Sequence, residues 1–300
     1  KLFESYLQEL PDRHLEQYIN AEFHAGVCAL YLYHKDAEFR LEKFVQMHPE
    51  SPWVKKVYYE LANYNYRRKR YKKSLEWFDY IEVKDLKQEQ LAEFKFKRGH
   101  SLFMQDRFEE ARPDLFEVKD IESKYQAPAT YFYSHISYES DQLQNAHDGF
   151  KRLEKDPNFG PLVPYYLTQI LYKQKKYDEL LDYAPAFVDS SSNKDIKRQP
   201  EIAQLVGDAY YRENKYAQAL PYLEQYHAHA KKRDVTRKDH FQIGYTYYTL
   251  ERPEEALEHF NAASNGDDEL AQSSIYHMAD CYLKLDQKPY ARTAFEQASA

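Results

Sequence analysis

Histidine is the side chain in this sequence with the widest chemical range, since imidazole ligates metal ions and exchanges protons near neutral pH. Twelve histidines occur among the 300 residues. His100 and His135 form the best candidate metal pair, because both fall at the same position of a repeating pattern. Two imidazoles without a nearby cysteine or row of carboxylates do not complete a zinc site. His227 and His229 stand two residues apart and should diverge on a helix, so we predict no metal site and no cofactor.

Catalytic signatures are missing from the sequence. It contains no HExxH, CxxC or GxSxG motif and no glycine-rich phosphate loop, the patterns that position metal, redox, nucleophilic or phosphate chemistry. Aspartate and glutamate are abundant, but on charged helices they mostly face solvent. The sequence therefore predicts a protein without enzymatic activity.

One dense basic run covers residues 67–73, Arg-Arg-Lys-Arg-Tyr-Lys-Lys. Such a run can attract nucleic acid or an acidic partner, but here it falls where a turn between two helices is expected, which favours a solvated turn. The whole chain carries a net charge of −7 and has a pI of about 6.0, whereas a nucleic-acid-binding domain usually shows a basic footprint. We therefore predict that the partner is not a nucleic acid.

A repeat indicates which elements position these side chains. Gly99, Gly207 and Gly244 each precede an alanine by twelve residues, and a large apolar residue follows each alanine four residues later. The alanines and large residues are Ala111 with Leu115, Ala219 with Leu223, and Ala256 with Phe260. The extended register has repeats starting about 34 to 39 residues apart, at Tyr18, Lys55, Ala92, Ala127, Pro161, Pro200, Arg237 and Gln272. A period of this size is typical of a helical solenoid.

This rhythm of a small residue at position eight, alanine at position twenty and a large apolar residue at position twenty-four resembles the tetratricopeptide repeat (TPR) family. The resemblance covers essentially all of the chain, although the tryptophan of the family's fourth position is missing. It implies an all-α fold, a right-handed α-solenoid of about eight helix-turn-helix repeats. The mean hydropathy of −0.89 is low, but an aromatic content of 16%, with 30 tyrosines, argues against disorder.

The register divides the chain into three parts. Residues 1–17 are expected to be the second helix of a truncated preceding repeat, residues 18–199 the first five repeats, and residues 200–300 the last three, with the final one cut short. Pro185 and the polar run that follows it predict a hinge within residues 184–200. We therefore expect an internal piece of a longer repeat protein. No stretch approaches the roughly 18 apolar residues of a membrane span.

In the TPR family the first helix of each repeat lines a concave face, and the resemblance places positions five, nine and twelve on it. Spacings of four and three residues keep these positions on one stripe of a helix. Position five is aromatic in six repeats: Tyr59, Phe96, Tyr131, Tyr165, Phe241 and Tyr276. Position twelve is aromatic in six consecutive repeats: Tyr66, Phe103, Tyr138, Tyr172, Tyr211 and Tyr248. Position nine, between them, is mainly polar: Asn63, His100, His135, Gln169, Asp208, Tyr245 and Asp280.

Two aromatic rows with a polar row between them predict a groove that binds an extended or helical segment of another protein. The competing interpretation is structural, because tyrosines at these positions also contact the neighbouring repeat. A clamp for a terminal peptide carboxylate, as in chaperone-binding TPR domains, is not expected, since Lys97 and Arg212 are isolated and position five is aromatic. The acidic balance disfavours RNA-binding helical repeats.

We therefore predict a non-enzymatic scaffold for a protein or peptide partner. The Tyr-rich second half is similar to large exported TPR proteins of bacterial envelopes, which favours a role in envelope assembly and a periplasmic or envelope location. The alternative is a regulatory or targeting TPR region of a larger protein whose enzymatic or signalling domain lies outside this sequence. A cytoplasmic location stays open.

Overall fold

The computed structural model describes residues 2–9, 15–188 and 195–299. Within these ranges the regular structure consists of seventeen α-helices and three short 3₁₀ turns, without a strand. The helices are α1 (Leu2–Glu9), α2 (Glu16–Tyr31), α3 (Ala37–Met47), α4 (Val54–Arg67), α5 (Tyr71–Phe78), α6 (Gln88–Phe103), α7 (Phe108–Val118), α8 (Gln126–Glu139), α9 (Leu143–Arg152), α10 (Val163–Lys173), α11 (Tyr177–Tyr183), α12 (Gln199–Arg212), α13 (Tyr216–His229), α14 (Arg237–Thr249), α15 (Pro253–Ala263), α16 (Glu269–Lys284) and α17 (Lys288–Ala298). The 3₁₀ turns are Val83–Asp85, Gly160–Leu162 and Pro185–Phe187.

Consecutive helices pair into hairpins. α2 contacts α3, α4 contacts α5 and α6 contacts α7, and α12–α13, α14–α15 and α16–α17 repeat the arrangement. The second helix of a pair also contacts the first helix of the next, as α7 contacts α8 and α13 contacts α14. Because each hairpin covers the apolar surface of its neighbours, the core extends along the stack. The fold is an all-α solenoid of helical hairpins, which confirms the predicted fold class.

The first helix of each hairpin ends in the same kind of turn. In the eight turns that the structure describes, one non-glycine residue has a positive φ between 54° and 58°. These residues are Tyr33, Lys69, Asp106, Asp141, Lys175, Asn214, Glu251 and Asp286. The left-handed residue turns the next amide back toward the helix end; the Arg70 amide, for example, donates to the Asn65 carbonyl over 2.9 Å. The chain therefore reverses within a few residues and places the second helix against the first.

The close approach of the two helices depends on the small residue at position eight. A Cβ atom added to Gly207 would lie 2.7 Å from Cδ2 of Leu223, and one added to Gly99 would lie 3.0 Å from Cγ of Leu115. Both leucines are buried. The large residue at position twenty-four thus fills the space that the missing side chain leaves.

The helices form two compact units, Lys1–Gly149 and Phe150–Ala300, each with its own buried core. α1 contacts α2, and the Phe3 ring stacks on His24 with 5.6 Å between centroids. The repeat-based domain boundaries stay predictions. So does the hinge, because residues 189–194 lie outside the described residues. Each described helix is either too short or too polar to cross a membrane.

Candidate protein-binding face

The residues predicted to contact a partner all lie on first helices of hairpins. In the first unit they are Tyr59, Asn63 and Tyr66 on α4, Phe96, His100 and Phe103 on α6, and Tyr131, His135 and Tyr138 on α8. In the second unit they are Tyr165, Gln169 and Tyr172 on α10, Asp208 and Tyr211 on α12, Phe241, Tyr245 and Tyr248 on α14, and Tyr276 on α16. Most are half-buried, but Asn63 and Phe96 are buried and Tyr276 is 54% exposed.

In the first unit, position twelve of one repeat contacts position nine of the next. The Tyr66 hydroxyl is hydrogen-bonded to Nδ1 of His100 over 2.7 Å. The Phe103 ring meets the His135 ring edge to face, with 5.4 Å between centroids. Burial lowers the pKa of His100 to about 4, so its imidazole is neutral at pH 7. A neutral imidazole nitrogen can accept a hydrogen bond from the Tyr66 hydroxyl. The polar row and the aromatic row therefore bind each other across the repeat boundary.

The second unit repeats this contact with carboxylates in place of imidazoles. The Tyr172 hydroxyl donates to Asp208, and the Tyr248 hydroxyl donates to Oδ2 of Asp280 over 2.6 Å. Between these two bonds, Tyr211 and Tyr245 make an edge-to-face ring contact at 6.0 Å. Position twelve thus joins position nine of the following repeat at each of these boundaries. We call these three contacts, together with Tyr66–His100 and Phe103–His135 in the first unit, the inter-repeat bonds; they include both hydrogen bonds and ring contacts.

Asp208 is the most heavily bonded of these acceptors. Arg212 Nε donates to its Oδ2 over 2.6 Å and Gln242 Nε2 donates to its Oδ1 over 2.7 Å, in addition to the Tyr172 bond. Burial alone would raise the pKa of Asp208, but these three donors hold it below its ordinary value. Burial and the neighbouring carboxylate raise the pKa of Tyr172 to about 12. Asp208 is therefore an ionised acceptor that fixes side chains from three consecutive repeats.

A buried polar contact also joins α4 to α6 in the first unit. Lys97 Nζ donates to Oδ1 of Asn63 over 2.6 Å and to Glu93 on its own helix. Burial lowers the pKa of Lys97, and Glu93 opposes this shift. The Lys97 ammonium group is buried and hydrogen-bonded to Asn63 and Glu93, so it does not face a ligand carboxylate.

Tyr59 lies at the edge of a cavity of about 600 Å³ in the first unit. Phe23, Val27 and Trp53 supply apolar walls. Its rim carries both signs of charge, and Lys55 Nζ is paired with Asp85 Oδ1 over 2.6 Å. An apolar or aromatic side chain fits such a wall better than a charged group. The position-five tyrosine is therefore placed beside a space that can accept one side chain of a partner.

The structure gathers a histidine cluster that the sequence did not predict. Among the residues that the structure describes, the group of three or more metal-capable side chains is His227, His240 and His259, whose ligand atoms lie within 4.8 Å of one another. The candidate pair His100 and His135 does not belong to it. Only His227 was considered from the sequence, and there it was compared with its neighbour His229.

The comparisons with known proteins agree on the repeat. A family model for the tetratricopeptide repeat matches residues 273–299. No curated protein matches the sequence.

Among solved structures, one is similar at the level of the fold, and two others have TM-scores below 0.5. The C-terminal part of a TPR repeat-containing protein from Cytophaga hutchinsonii is similar, with a TM-score of 0.56 and 13% identity over 79% of this chain and 92% of that one. A tetratricopeptide repeat protein from Parabacteroides merdae gives a TM-score of 0.49 and 14% identity over 90% and 99%. YrrB, described as a TPR protein with an unusual peptide-binding site, gives a TM-score of 0.49 and 19% identity over 62% and 93%. At 13% identity, the similarity to the Cytophaga hutchinsonii structure shows the fold alone.

Proposed function

We propose that this chain is a non-enzymatic scaffold that binds polypeptide segments on the face formed by its first helices, on the support of the tetratricopeptide repeat match over residues 273–299 and of the similar fold. Stacked helical repeats present long surfaces to other proteins. The observation that supports the proposal is the row of half-buried aromatic rings on that face, at positions five and twelve in each unit. A ring that is half-buried in the free protein keeps a face or an edge for a partner.

The inter-repeat bonds make these rings better contact surfaces. Ordering a flexible side chain on binding costs about 0.5–1.5 kcal/mol. The hydroxyls of Tyr66, Tyr172 and Tyr248 are already bonded, so their rings are held before a partner arrives. The structural and the binding interpretations of the tyrosines are therefore compatible. One end of the side chain stabilises the solenoid, and the ring supplies area.

The cavity beside Tyr59 indicates the kind of polypeptide segment that would bind. In the first unit, the cavity beside Tyr59 has apolar walls, with Lys56 above the Trp53 ring at 4.2 Å. An extended segment with an aromatic or large aliphatic anchor would place that side chain in the cavity. The neutral and polar groups of position nine would then lie near the segment's backbone. We expect selectivity for apolar anchors and little dependence on a free C-terminus.

Selection from a displayed library of random peptides tests the proposal without a known partner. We expect wild type to enrich peptides with a shared aromatic or aliphatic anchor, and Tyr59→Ala to weaken the binding of those peptides at least tenfold. Phe39→Ala is the matched control, because this aromatic is 65% exposed on α3, a second helix. Circular dichroism checks that each variant is folded. Unchanged affinity in the folded Tyr59→Ala variant, or an equal loss in Phe39→Ala, would contradict the proposal.

We extend the proposal to bacterial envelope assembly, on the similarity of the Tyr-rich second half to exported repeat proteins. Fractionation of the source cells with an antibody to this chain tests the extension. Recovery in the periplasmic or membrane fraction supports it. Recovery in the cytosol alone removes the envelope role and leaves the peptide-binding proposal intact.

A further inference from the structure

Three histidines converge at the boundary between two hairpins of the second unit. His227 lies on α13, His240 on α14 and His259 on α15. Their ring centroids are 4.9 Å, 5.2 Å and 5.5 Å apart, and Nδ1 of His240 lies 3.3 Å from Nδ1 of His259. We propose that these three imidazoles bind a divalent transition-metal ion of the zinc type.

The spacing of the ring nitrogens matches a tetrahedral ion. A zinc–nitrogen bond of about 2.0–2.1 Å and a tetrahedral angle separate two ligand nitrogens by about 3.3 Å. The Nδ1 atoms of His240 and His259 already stand at that separation. Each of the three histidines offers one ring nitrogen, and these three nitrogens lie within 4.8 Å of one another.

Burial and mutual proximity disfavour the charged form of His240 and His259. Burial lowers the pKa of His259 to about 4, and His227 and His240 lower it further. Burial and His227 also lower the pKa of His240, while Asp239 and Glu258 oppose this shift. A neutral imidazole is the form that ligates metal ions. Two protonated imidazoles at these distances would repel each other, whereas a shared cation satisfies several nitrogen lone pairs at once.

Groups around the cluster hold the three helices together. The Tyr247 ring lies against the His259 ring, with 5.8 Å between centroids. The Tyr247 hydroxyl donates to Glu224, one turn before His227 on α13. Arg252 lies 4.6 Å from the centre of the Tyr247 ring. These contacts link the same three helices that supply the imidazoles.

The donor set also defines the class of ion. Three imidazole nitrogens suit zinc, cobalt, nickel or copper, whereas calcium and magnesium prefer oxygen ligands. Three protein ligands leave one position of a tetrahedral ion for water or an external ligand. Because α13 belongs to one hairpin and α14 and α15 to the next, the bound ion would stabilise the boundary between them. This site is independent of the proposed peptide-binding face.

Calorimetric titration of the metal-free full chain with ZnCl₂ tests the site. We expect one zinc ion per chain and a rise in the unfolding temperature. His240→Gln and His259→Gln should each weaken zinc binding at least tenfold. His229→Gln is the matched control, because His229 is exposed on α13 and its Nδ1 is bonded to the Gln225 carbonyl; it should bind zinc like wild type. MgCl₂ should give no heat of binding and no thermal shift.

The visible absorption spectrum of bound Co²⁺ keeps the test informative even if one of the histidine variants fails to fold. Co²⁺ bound by wild type and by His229→Gln should show the intense visible absorption of a four-coordinate ion, displaced by zinc in a one-to-one ratio. An adventitious ion only would give a weak octahedral spectrum, several weak sites, or equal binding in His229→Gln and His259→Gln. Any of these results, or no zinc binding by wild type, would overturn the proposal.

Discussion

Asp208 offers the sharpest test of the inter-repeat bonds. Asp208→Asn keeps the shape of the side chain but replaces an anion, which accepts from Tyr172, Arg212 and Gln242, by an amide. The Arg212 side chain is 43% exposed, so solvent screening limits its ion pair to less than about 1 kcal/mol. The Tyr172 bond to the well-covered anion contributes more, about 1.5 kcal/mol. We therefore expect the substitution to lower the free energy of unfolding by about 2 kcal/mol.

Urea unfolding followed by circular dichroism measures this loss. Tyrosine fluorescence should give the same transition, because coincident probes indicate a cooperative unit. Glu213→Gln is the matched control, since Glu213 is exposed directly after α12 and the change of chemistry is the same. It should alter the unfolding free energy by less than about 0.5 kcal/mol. A double-mutant cycle with Tyr172→Phe should give a coupling energy of about 1 kcal/mol between the two residues.

The stability that Asp208 contributes should also depend on pH in a defined direction. The pKa of Asp208 in the folded chain lies below its ordinary value of 3.8. A depressed carboxyl pKa stabilises the fold above the unfolded pKa, and this stabilisation is lost as the pH falls through the folded pKa. The difference between wild type and Asp208→Asn should thus be constant above about pH 5 and shrink toward pH 2. A difference below about 0.5 kcal/mol, or one that does not change with pH, would refute the reasoning.

Three further predictions concern the turns, the helix contact and the binding face. Lys175→Gly should raise the free energy of unfolding by about 1 kcal/mol, because the residue has a φ of 57° and glycine adopts this conformation without strain. The contrasting variant Lys43→Gly, at an exposed position inside α3, should lower it by about 1 kcal/mol. Gly207→Val should lower it by about 1–3 kcal/mol, since the added atoms collide with Leu223, and an unchanged urea midpoint would contradict the close contact. Tyr276→Ala should lower it by less than about 1 kcal/mol, because the ring is 54% exposed, so any larger loss would show a structural role that the exposure does not.

The sequence predicted the fold because the repeat signal is cumulative. Gly207 and Leu223 have to meet if two helices are to pack closely, and the same pair of positions recurs along the chain. The turns were harder to recognise. Glycine or asparagine normally marks a left-handed residue, but the turns here use Lys69 and Glu251 among others. The conformation is imposed by the two packed helices and not by the turn residue.

The candidate site was predictable only as far as one helix defines it. Spacings of three and four residues place Tyr172 on the same stripe of α10 as Tyr165 and Gln169, but they do not show that its hydroxyl reaches Asp208 on the next first helix. Distances across a repeat depend on how neighbouring hairpins rotate against each other. The histidine cluster was not predicted from the sequence for the same reason. His227 was compared with His229 along one helix, whereas its partners His240 and His259 come from the next hairpin.

The inter-repeat bonds affect how the second unit responds to a pulling force. Tyr172–Asp208, Tyr211–Tyr245 and Tyr248–Asp280 join successive first helices one after another. A pulling force along the stack would pass through these contacts in series, so the weakest one sets the first extension. The boundary between α12 and α14 has the Tyr211–Tyr245 ring pair and also the hydrogen bond from Gln242 on α14 to the Asp208 carboxylate on α12. Asp208 accepts from Tyr172 on α10 as well, so we expect this one side chain to carry load at two successive boundaries.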